Sequence, residues 1–218
     1  MLTATDLFAG AGGSSEGLEQ AGYDVRIAAN HWPLAVHTHQ ANHPGTEHRV
    51  ANLAEVDWRT FPTTDLLWAS PSCVWHSRSG GRRKPPAEVE LIGEDEGSVD
   101  RATAFAVIAA AEVHRYPTVL VENVPEFRDW TLYRWWKEGL HALGYYTQEL
   151  VLDAADLGHA QRRKRLFMAA TLDPVTITPS APDRVPASVI LDADPGKPVT
   201  RRLYVADQLD QITRYVGG

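Results

Sequence analysis

The chain has 218 residues, of which 44% are hydrophobic and 22% are charged, close to an average soluble globular protein. This composition excludes wholesale disorder, collagen and coiled coils, and the length allows one domain with a substantial core. No apolar run approaches the roughly 18 residues of a membrane span, and the N-terminus does not resemble a signal peptide. The single cysteine excludes an internal disulfide and fits a reducing cytoplasm. The net charge of −7 means that any nucleic-acid-binding surface must concentrate positive charge on one face.

Strand-like and helix-like segments alternate along the first 171 residues. The pattern predicts strands over residues 2–8, 24–29, 48–51, 65–69, 118–121, 145–152 and 165–171. It predicts helices over residues 14–21, 33–42, 101–114 and 130–143. Because several strands are wholly apolar, the alternation favours an α/β fold with a largely parallel sheet and helices on both faces.

The pattern changes after residue 171. Prolines are spaced through the remaining segment, and only residues 205–215 suggest another helix. We therefore predict one folded domain over residues 1–171, followed by a loop-rich tail over residues 172–218.

A glycine-rich turn follows the first predicted strand, where residues 6–17 read DLFAGAGGSSEG. Glycines there let a ligand approach the backbone, and the start of the next helix favours an anionic group. The turn is neither a dinucleotide fingerprint, since Ser15 occupies the third glycine position, nor a P-loop, since no Gly-Lys-Ser/Thr follows. A turn that only connects strand to helix is the alternative.

The single cysteine, Cys73, follows the apolar strand predicted at residues 65–69. In open α/β sheets, ligands bind at the carboxyl ends of strands. A polar loop with four basic residues between positions 78 and 84 comes next, and positive charge favours the nucleophilic thiolate. An inert buried cysteine is the alternative.

Glu122 ends the next apolar strand, within the sequence VLVENVP. A carboxyl group at such a strand end is partly removed from water, which suits proton donation at neutral pH. The alternative roles are a helix cap or an ion pair with an arginine.

A basic segment, QRRKR, enters the strand predicted at residues 165–171. Alternation places Gln161, Arg163 and Arg165 on one face of the chain. Guanidinium groups on one face suit a phosphate or a base edge. A solvated basic stretch is the alternative.

Four histidines lie close together in the sequence, at positions 37, 39, 43 and 48. The chain has no HExxH motif, and only His39 and His43 have the i, i+4 spacing of one helix face. We therefore predict no metal site.

Taken in this order, the motifs resemble those of the cytosine-C5 DNA methyltransferases. FAGAGG resembles the first family motif, the Pro71-x-Cys73 pair the nucleophile motif, and Glu122-Asn123-Val124 the ENV motif. Residues 152–165 resemble the Q-x-R-x-R segment with its lead-in. The resemblance implies a Rossmann-like methyltransferase fold, with residues 1–171 as the catalytic and cofactor-binding domain.

The family chemistry implies a role for each motif. Cys73 would add to C6 of a cytosine flipped out of DNA, while Glu122 would donate a hydrogen bond or proton to N3. Arg163 and Arg165 would hold the base and its phosphate, and residues 77–99 would form a loop that closes over the site. The resemblance implies these further substrate contacts: Ser77, Asn123, Val124 and Gln161.

The resemblance also implies S-adenosylmethionine as the cofactor, with the Trp32 ring stacked on adenine. The expected contacts are Phe8, Gly10, Gly12, Gly13, His31, Trp32, Asn52, Leu53 and Pro71. His31 and Asn52 stand where the family usually has acidic residues. Because neutral side chains lose the charge-assisted contact that a carboxylate gives, we expect weak cofactor binding.

Family members continue into a target-recognition region and a last motif, whereas residues 201–218 resemble only the lead-in to that region. The resemblance therefore implies a shortened chain, half of a split enzyme or a natural short protein, with a second chain or segment supplying recognition. Without that region, single-stranded or mismatched cytosines are expected to be the better substrates.

Two other functions remain open. One is an RNA methyltransferase of the family branch that acts on tRNA, and the other is a silent regulator that keeps the fold. The presence of both Cys73 and Glu122 argues against the regulator. We expect a cytoplasmic protein of bacterial or phage-like origin, associated with the nucleoid when at work, without a membrane partner and suited to restriction-modification.

Overall fold

The structure is a computed structural model that describes residues 1–71 and 103–191. Its strands are β1 (Leu2–Leu7), β2 (Tyr23–Asn30), β3 (Glu47–Val50), β4 (Leu66–Ala69), β5 (Thr118–Asn123), β6 (Tyr146–Asp153) and β7 (Lys164–Thr171). Its α-helices are α1 (Gly13–Gln20), α2 (Pro33–Asn42), α3 (Phe105–His114) and α4 (Tyr133–Ala142). Single 3-10 turns cover Trp58–Thr60, Pro125–Asp129, Ala154–Leu157 and Ala187–Val189.

The strands form a seven-stranded sheet in the order β3-β2-β1-β4-β5-β7-β6. Neighbouring strands from β3 to β5 are parallel, whereas β7 runs antiparallel to both β5 and β6. Because β7 is reversed, its first residues lie at the same sheet edge as the last residues of β1, β4 and β5. This reversal brings the basic segment to the edge that carries the other three motifs.

The predicted α/β class with a largely parallel sheet is confirmed, and element boundaries differ by a few residues. The largest difference among the described residues is the start of α4, predicted at residue 130 and observed at Tyr133. There Pro125–Asp129 forms a 3-10 turn, and the Trp130 N–H donates to the Phe127 carbonyl at 3.2 Å. The predicted loop at 77–99 and helix at 205–215 lie outside the described residues, and the domain boundary after residue 171 stays a prediction. None of the described helices combines the length and apolar character that a bilayer crossing requires.

Both faces of the sheet carry helices because the strand side chains alternate in direction. On one face, Leu7, Leu67 and Val121 pack in the main core with residues of α3 and α4. On the other face, a smaller cluster forms beneath α1. Its members are Ala4, Leu18, Val25 and Leu66. Packing on both faces fixes the strand ends, and therefore the loops that follow them.

Replacing Trp136 by alanine is expected to destabilise the fold by about 3–5 kcal/mol. Trp136 is fully buried, and its Nε1 donates to the Ala104 carbonyl at 2.8 Å, so truncation removes packing and one buried hydrogen bond. The adjacent Trp135 is 63% exposed, and Trp135→Ala is expected to cost less than about 1 kcal/mol. Urea denaturation measures both variants. An equal loss in the two would contradict the buried face assigned to α4.

Candidate active site

Most of the predicted site residues in the described part of the chain lie at one edge of the sheet. Since β1 to β5 are parallel, their carboxyl ends meet there. The residues that follow or end these strands are Phe8, Gly10, Gly12 and Gly13 after β1, His31 and Trp32 after β2, Asn52 and Leu53 after β3, Pro71 after β4, and Glu122, Asn123 and Val124 at β5. Cys73 and Ser77 lie outside the described residues.

The glycine turn between β1 and α1 is fastened by two asparagine side chains. Asn30 Nδ2 donates to the Ala9 carbonyl at 2.8 Å, and Asn42 Nδ2 donates to the Ala11 carbonyl at 2.6 Å. Asn30 Oδ1 also accepts from the Trp32 N–H at 2.9 Å. One side chain therefore ties the turn to the segment that carries Trp32. Sequence analysis missed both asparagines, although Asn30 stands at a strand end, where a polar residue is a recognisable signal.

The backbone of the turn is open on its outer side. A Cβ added at Gly10 or Gly13 would meet no atom within 4 Å. Gly12 has a φ of +113°, a conformation that other residues adopt only with strain. The turn therefore leaves room for a ligand beside the N-terminus of α1.

The other predicted cofactor contacts differ in how exposed their side chains are and in whether those side chains already form hydrogen bonds. Trp32 is 56% exposed, and His31 is also exposed. Asn52 is exposed as well, but its Oδ1 accepts from the Ala54 N–H at 3.2 Å. Leu53 is buried in the main core, so its side chain offers little exposed surface at this edge.

Two predicted catalytic side chains are in direct contact. Arg165 Nε lies 2.8 Å from Glu122 Oε1, and both side chains are largely buried. The strand register explains the pair, because Phe167 lies opposite Glu122 and Arg165 is the next residue of β7 on the same face. The arginine partner that sequence analysis gave as an alternative role for Glu122 is thus a member of the predicted site.

Asn123 joins the end of β5 to the end of β4. It is buried, its Nδ2 donates to the Pro71 carbonyl at 3.1 Å, and its Oδ1 accepts from the Val124 N–H at 2.9 Å. Its polar atoms therefore hold backbone. Pro71 is the second residue before Cys73 in the sequence, so Asn123 holds the last described residue of the predicted nucleophile motif.

Asp153, which sequence analysis did not select, anchors the basic segment. Its Oδ1 accepts from the Arg163 N–H at 3.0 Å and from the Ala155 N–H at 3.2 Å, and Arg162 Nε lies 3.7 Å from Oδ2. Burial alone would raise the pKa of Asp153, but these N–H donors and the nearby basic side chains lower it. The backbone before β7 is thereby fixed, while the side chains of Gln161 and Arg163 remain exposed.

Comparison with known proteins places these features in a family. Residues 2–189 match the family model described as C-5 cytosine-specific DNA methylase. The chain is 27% identical to the Type II methyltransferase M.AgeI of Thalassovita gelatinovora over 97% of its length and 51% of that protein. It is 32% identical to the Type II methyltransferase M.HgiDI of Herpetosiphon aurantiacus over 77% of its length and 51% of that protein. The chain therefore spans about half the length of these curated relatives.

A solved structure shows the same fold. The methyltransferase EhMeth of Entamoeba histolytica superposes with a TM-score of 0.68 at 17% identity, over 89% of this chain and 61% of that chain. The Rossmann-like methyltransferase fold implied by the motifs is thus confirmed.

Proposed function

Because the chain belongs to the C-5 cytosine-specific DNA methylase family, we propose that it carries the catalytic domain of an enzyme that methylates C5 of cytosine in DNA. The observation that carries this proposal is the link from Asn123 to Pro71, 3.1 Å long, which joins the strand of Glu122 to the segment leading to Cys73. The same strand end holds the contact between Glu122 and Arg165. Three of the four motifs thus converge at one point. The names of the curated relatives, Type II methyltransferases, favour DNA over RNA as the substrate.

S-adenosylmethionine fits the residues at this edge. The open turn at Gly10 and Gly13 and the N-terminus of α1 suit its carboxylate. The exposed ring of Trp32, tied to the turn through Asn30, suits its adenine. When bound, the cofactor supplies an electrophilic methyl group for C5.

The side chains divide the remaining chemistry. The thiolate of Cys73 adds to C6 of the flipped cytosine, which makes C5 electron-rich. Once C5 carries the methyl group, loss of the C5 proton breaks the bond between Cys73 and C6 and restores the C5–C6 double bond. Arg165 holds Oε1 of Glu122 and so orients the carboxyl group, while Oε2, in the protonated carboxyl group, delivers the hydrogen bond or proton to N3. The exposed Arg162, Arg163 and Lys164 contact the phosphates, which concentrates positive charge at this edge despite the net charge of −7.

Sequence recognition is assigned to a further segment or second chain, because the residues at this edge serve one flipped base and its phosphates. Ser77, Asn123, Val124 and Gln161 remain our proposed substrate contacts, with Asn123 acting through the backbone. A DNA substrate implies a cytoplasmic protein that works at the nucleoid.

Transfer of tritiated methyl groups tests the proposal. The purified chain is incubated with S-adenosylmethionine and with single-stranded DNA, duplex DNA or tRNA. We expect label in DNA cytosine, with single strands or mismatched duplexes preferred. Label confined to tRNA would replace DNA by RNA as the substrate. A chain that binds the cofactor and labels neither would contradict activity of this chain alone, as is expected of a regulator or of one half of a split enzyme.

Cofactor affinity provides a second test, and we expect a Kd of roughly tens of micromolar. His31 lacks the charge-assisted contact that a carboxylate gives, which is worth about 10- to 100-fold. His31→Glu is therefore expected to tighten binding by about tenfold. His37→Glu makes the same change at an exposed position outside the predicted contacts and should leave Kd unchanged. Sub-micromolar binding by the unmodified chain in titration calorimetry would contradict this expectation.

A further inference from the structure

Three of the four histidines set aside in the sequence come together beneath the glycine turn. The ring centroid of His39 lies 4.8 Å from that of His43 and 4.9 Å from that of His48. His39 and His43 are buried, whereas His37 is exposed on the same helix. The hydrogen bonds of this cluster define where its protons reside.

One set of hydrogen bonds links β3 to β1. Ser15 Oγ donates its one proton to Asp6 Oδ2 at 2.8 Å, so it accepts from His39 Nε2 at 2.9 Å. The buried carboxylate of Asp6 also lies 3.9 Å from His39 Nε2. His39 Nδ1 lies 2.9 Å from His48 Nε2, so one of these two nitrogens donates to the other. Burial and the neighbouring His39 lower the pKa of His48, which agrees with a neutral ring.

His43 faces a different set of partners. Its Nδ1 lies 3.0 Å from Glu19 Oε1, and its Nε2 lies 3.1 Å from the Gly12 carbonyl. A carboxylate and a carbonyl only accept hydrogen bonds, so both ring nitrogens must donate. The doubly protonated imidazolium form satisfies both partners, and Glu19 balances its charge.

The ring also packs directly against the turn. A Cβ added at Gly12 would lie 2.5 Å from His43 Nε2. The hydrogen bond and the contact together fix Gly12 in its left-handed conformation. A change in the His43 ring or in the number of its protons is therefore expected to change the conformation of the glycine turn.

We propose that His43 is a positioning residue of the cofactor site: as an imidazolium held by Glu19, it fixes the Gly12 carbonyl and so shapes the glycine turn. The inference rests on the proposed binding of S-adenosylmethionine at that turn. Among the described residues, the ionisable groups that face His43 are Glu16 and Glu19 on α1, His39 on α2 and His48 on β3. His43 is the ring of the cluster whose two nitrogens face a carboxylate and a backbone carbonyl, and both of those partners accept.

The Glu19→Gln variant tests whether His43 acts through its positive charge or only through its packing against the turn. A glutamine amide can donate to Nδ1, so a neutral His43 can still donate to Gly12 through Nε2. We expect the unmodified chain to bind S-adenosylmethionine about three- to tenfold more weakly at about pH 8 than at about pH 6. The Glu19→Gln variant is expected to lose this dependence. The cofactor's own ionisation is common to both proteins, so the comparison removes it.

Two further variants serve as controls when S-adenosylmethionine binding is measured by titration calorimetry. His43→Ala is expected to weaken binding about tenfold or more at both pH values. His37→Ala should behave as the unmodified chain. Equal pH dependence in the unmodified chain and in Glu19→Gln, or unchanged binding in His43→Ala, would overturn the proposal.

A cofactor-free measurement separates this inference from the proposed function. In ¹⁵N NMR of the ring nitrogens at about pH 6, we expect both nitrogens of His43 to carry protons and only one nitrogen of His48, whose pKa is lowered. A singly protonated His43 would overturn the proposal by itself. If the unmodified chain bound no S-adenosylmethionine at either pH, the proposed function would fail, and so would the role in cofactor binding, while the spectrum would still report the proton count.

Discussion

Cys73→Ser is expected to abolish the covalent complex between this chain and DNA that contains 5-fluorocytosine. In the proposed mechanism the thiolate adds to C6, and fluorine at C5 blocks the proton loss that would release the enzyme. A serine hydroxyl is a far weaker nucleophile, so trapping should fall by about a thousandfold or more. The complex is measured on a denaturing gel after incubation with S-adenosylmethionine, with both single-stranded and duplex DNA.

The composition of the chain allows the result to be assigned to one residue. Cys73 is the only cysteine, so the substitution removes the single thiol that could attack. Ser72→Ala changes the preceding residue, keeps the thiol and is expected to trap DNA as the unmodified chain does. If Cys73→Ser trapped DNA as well as Ser72→Ala, another residue would be the nucleophile.

The strand pattern was enough to predict the fold, because apolar runs such as residues 118–121 have few alternatives in a chain of this composition. Local pattern does not give the order of strands or the reversal of β7. The start of α4 was predicted too early for a related reason. Trp130 continues the apolar periodicity, but it packs into the core from a 3-10 turn, and packing overrides periodicity there.

The site residues that belong to motifs at strand ends could be predicted from the sequence. The contacts between those motifs could not be predicted, because they depend on the register in which neighbouring strands pair. Arg165 reaches Glu122 only because β5 and β7 pair with Phe167 opposite Glu122. Asn123 carries a motif position, yet its polar atoms hold Pro71 and Val124.

The supporting residues were not selected from the sequence because their roles depend on contacts in three dimensions. Asn42 and His43 end α2 and hold a turn formed much earlier in the chain. Asp153 lies at the end of β6 and fixes the residue before β7. Each is a polar side chain that forms hydrogen bonds with backbone groups of the glycine turn or of the basic segment. Such residues are found by asking what satisfies each backbone group near a site.

Glu122→Gln and Arg165→Met are each expected to lower methyl transfer by about 10²- to 10³-fold. Glutamine cannot deliver a proton to N3, and methionine leaves the carboxyl group without the contact that orients it. Because the two side chains form one unit, the double variant should lose little more activity than the worse single variant. Rates of tritium transfer from S-adenosylmethionine to single-stranded DNA give the four corners of this cycle.

Two controls accompany this cycle of variants: the Kd for S-adenosylmethionine and a substitution at Arg162. The pair lies outside the predicted cofactor contacts, so Kd for S-adenosylmethionine should stay within about threefold in all variants. Arg162→Met removes an exposed guanidinium from the same basic segment and should weaken DNA binding, mostly at low salt, with little change in the rate at saturating DNA. Fully additive losses in the double variant would show that Glu122 and Arg165 act separately. In that case Arg165 would hold the DNA directly, and Glu122 would reach N3 without its help.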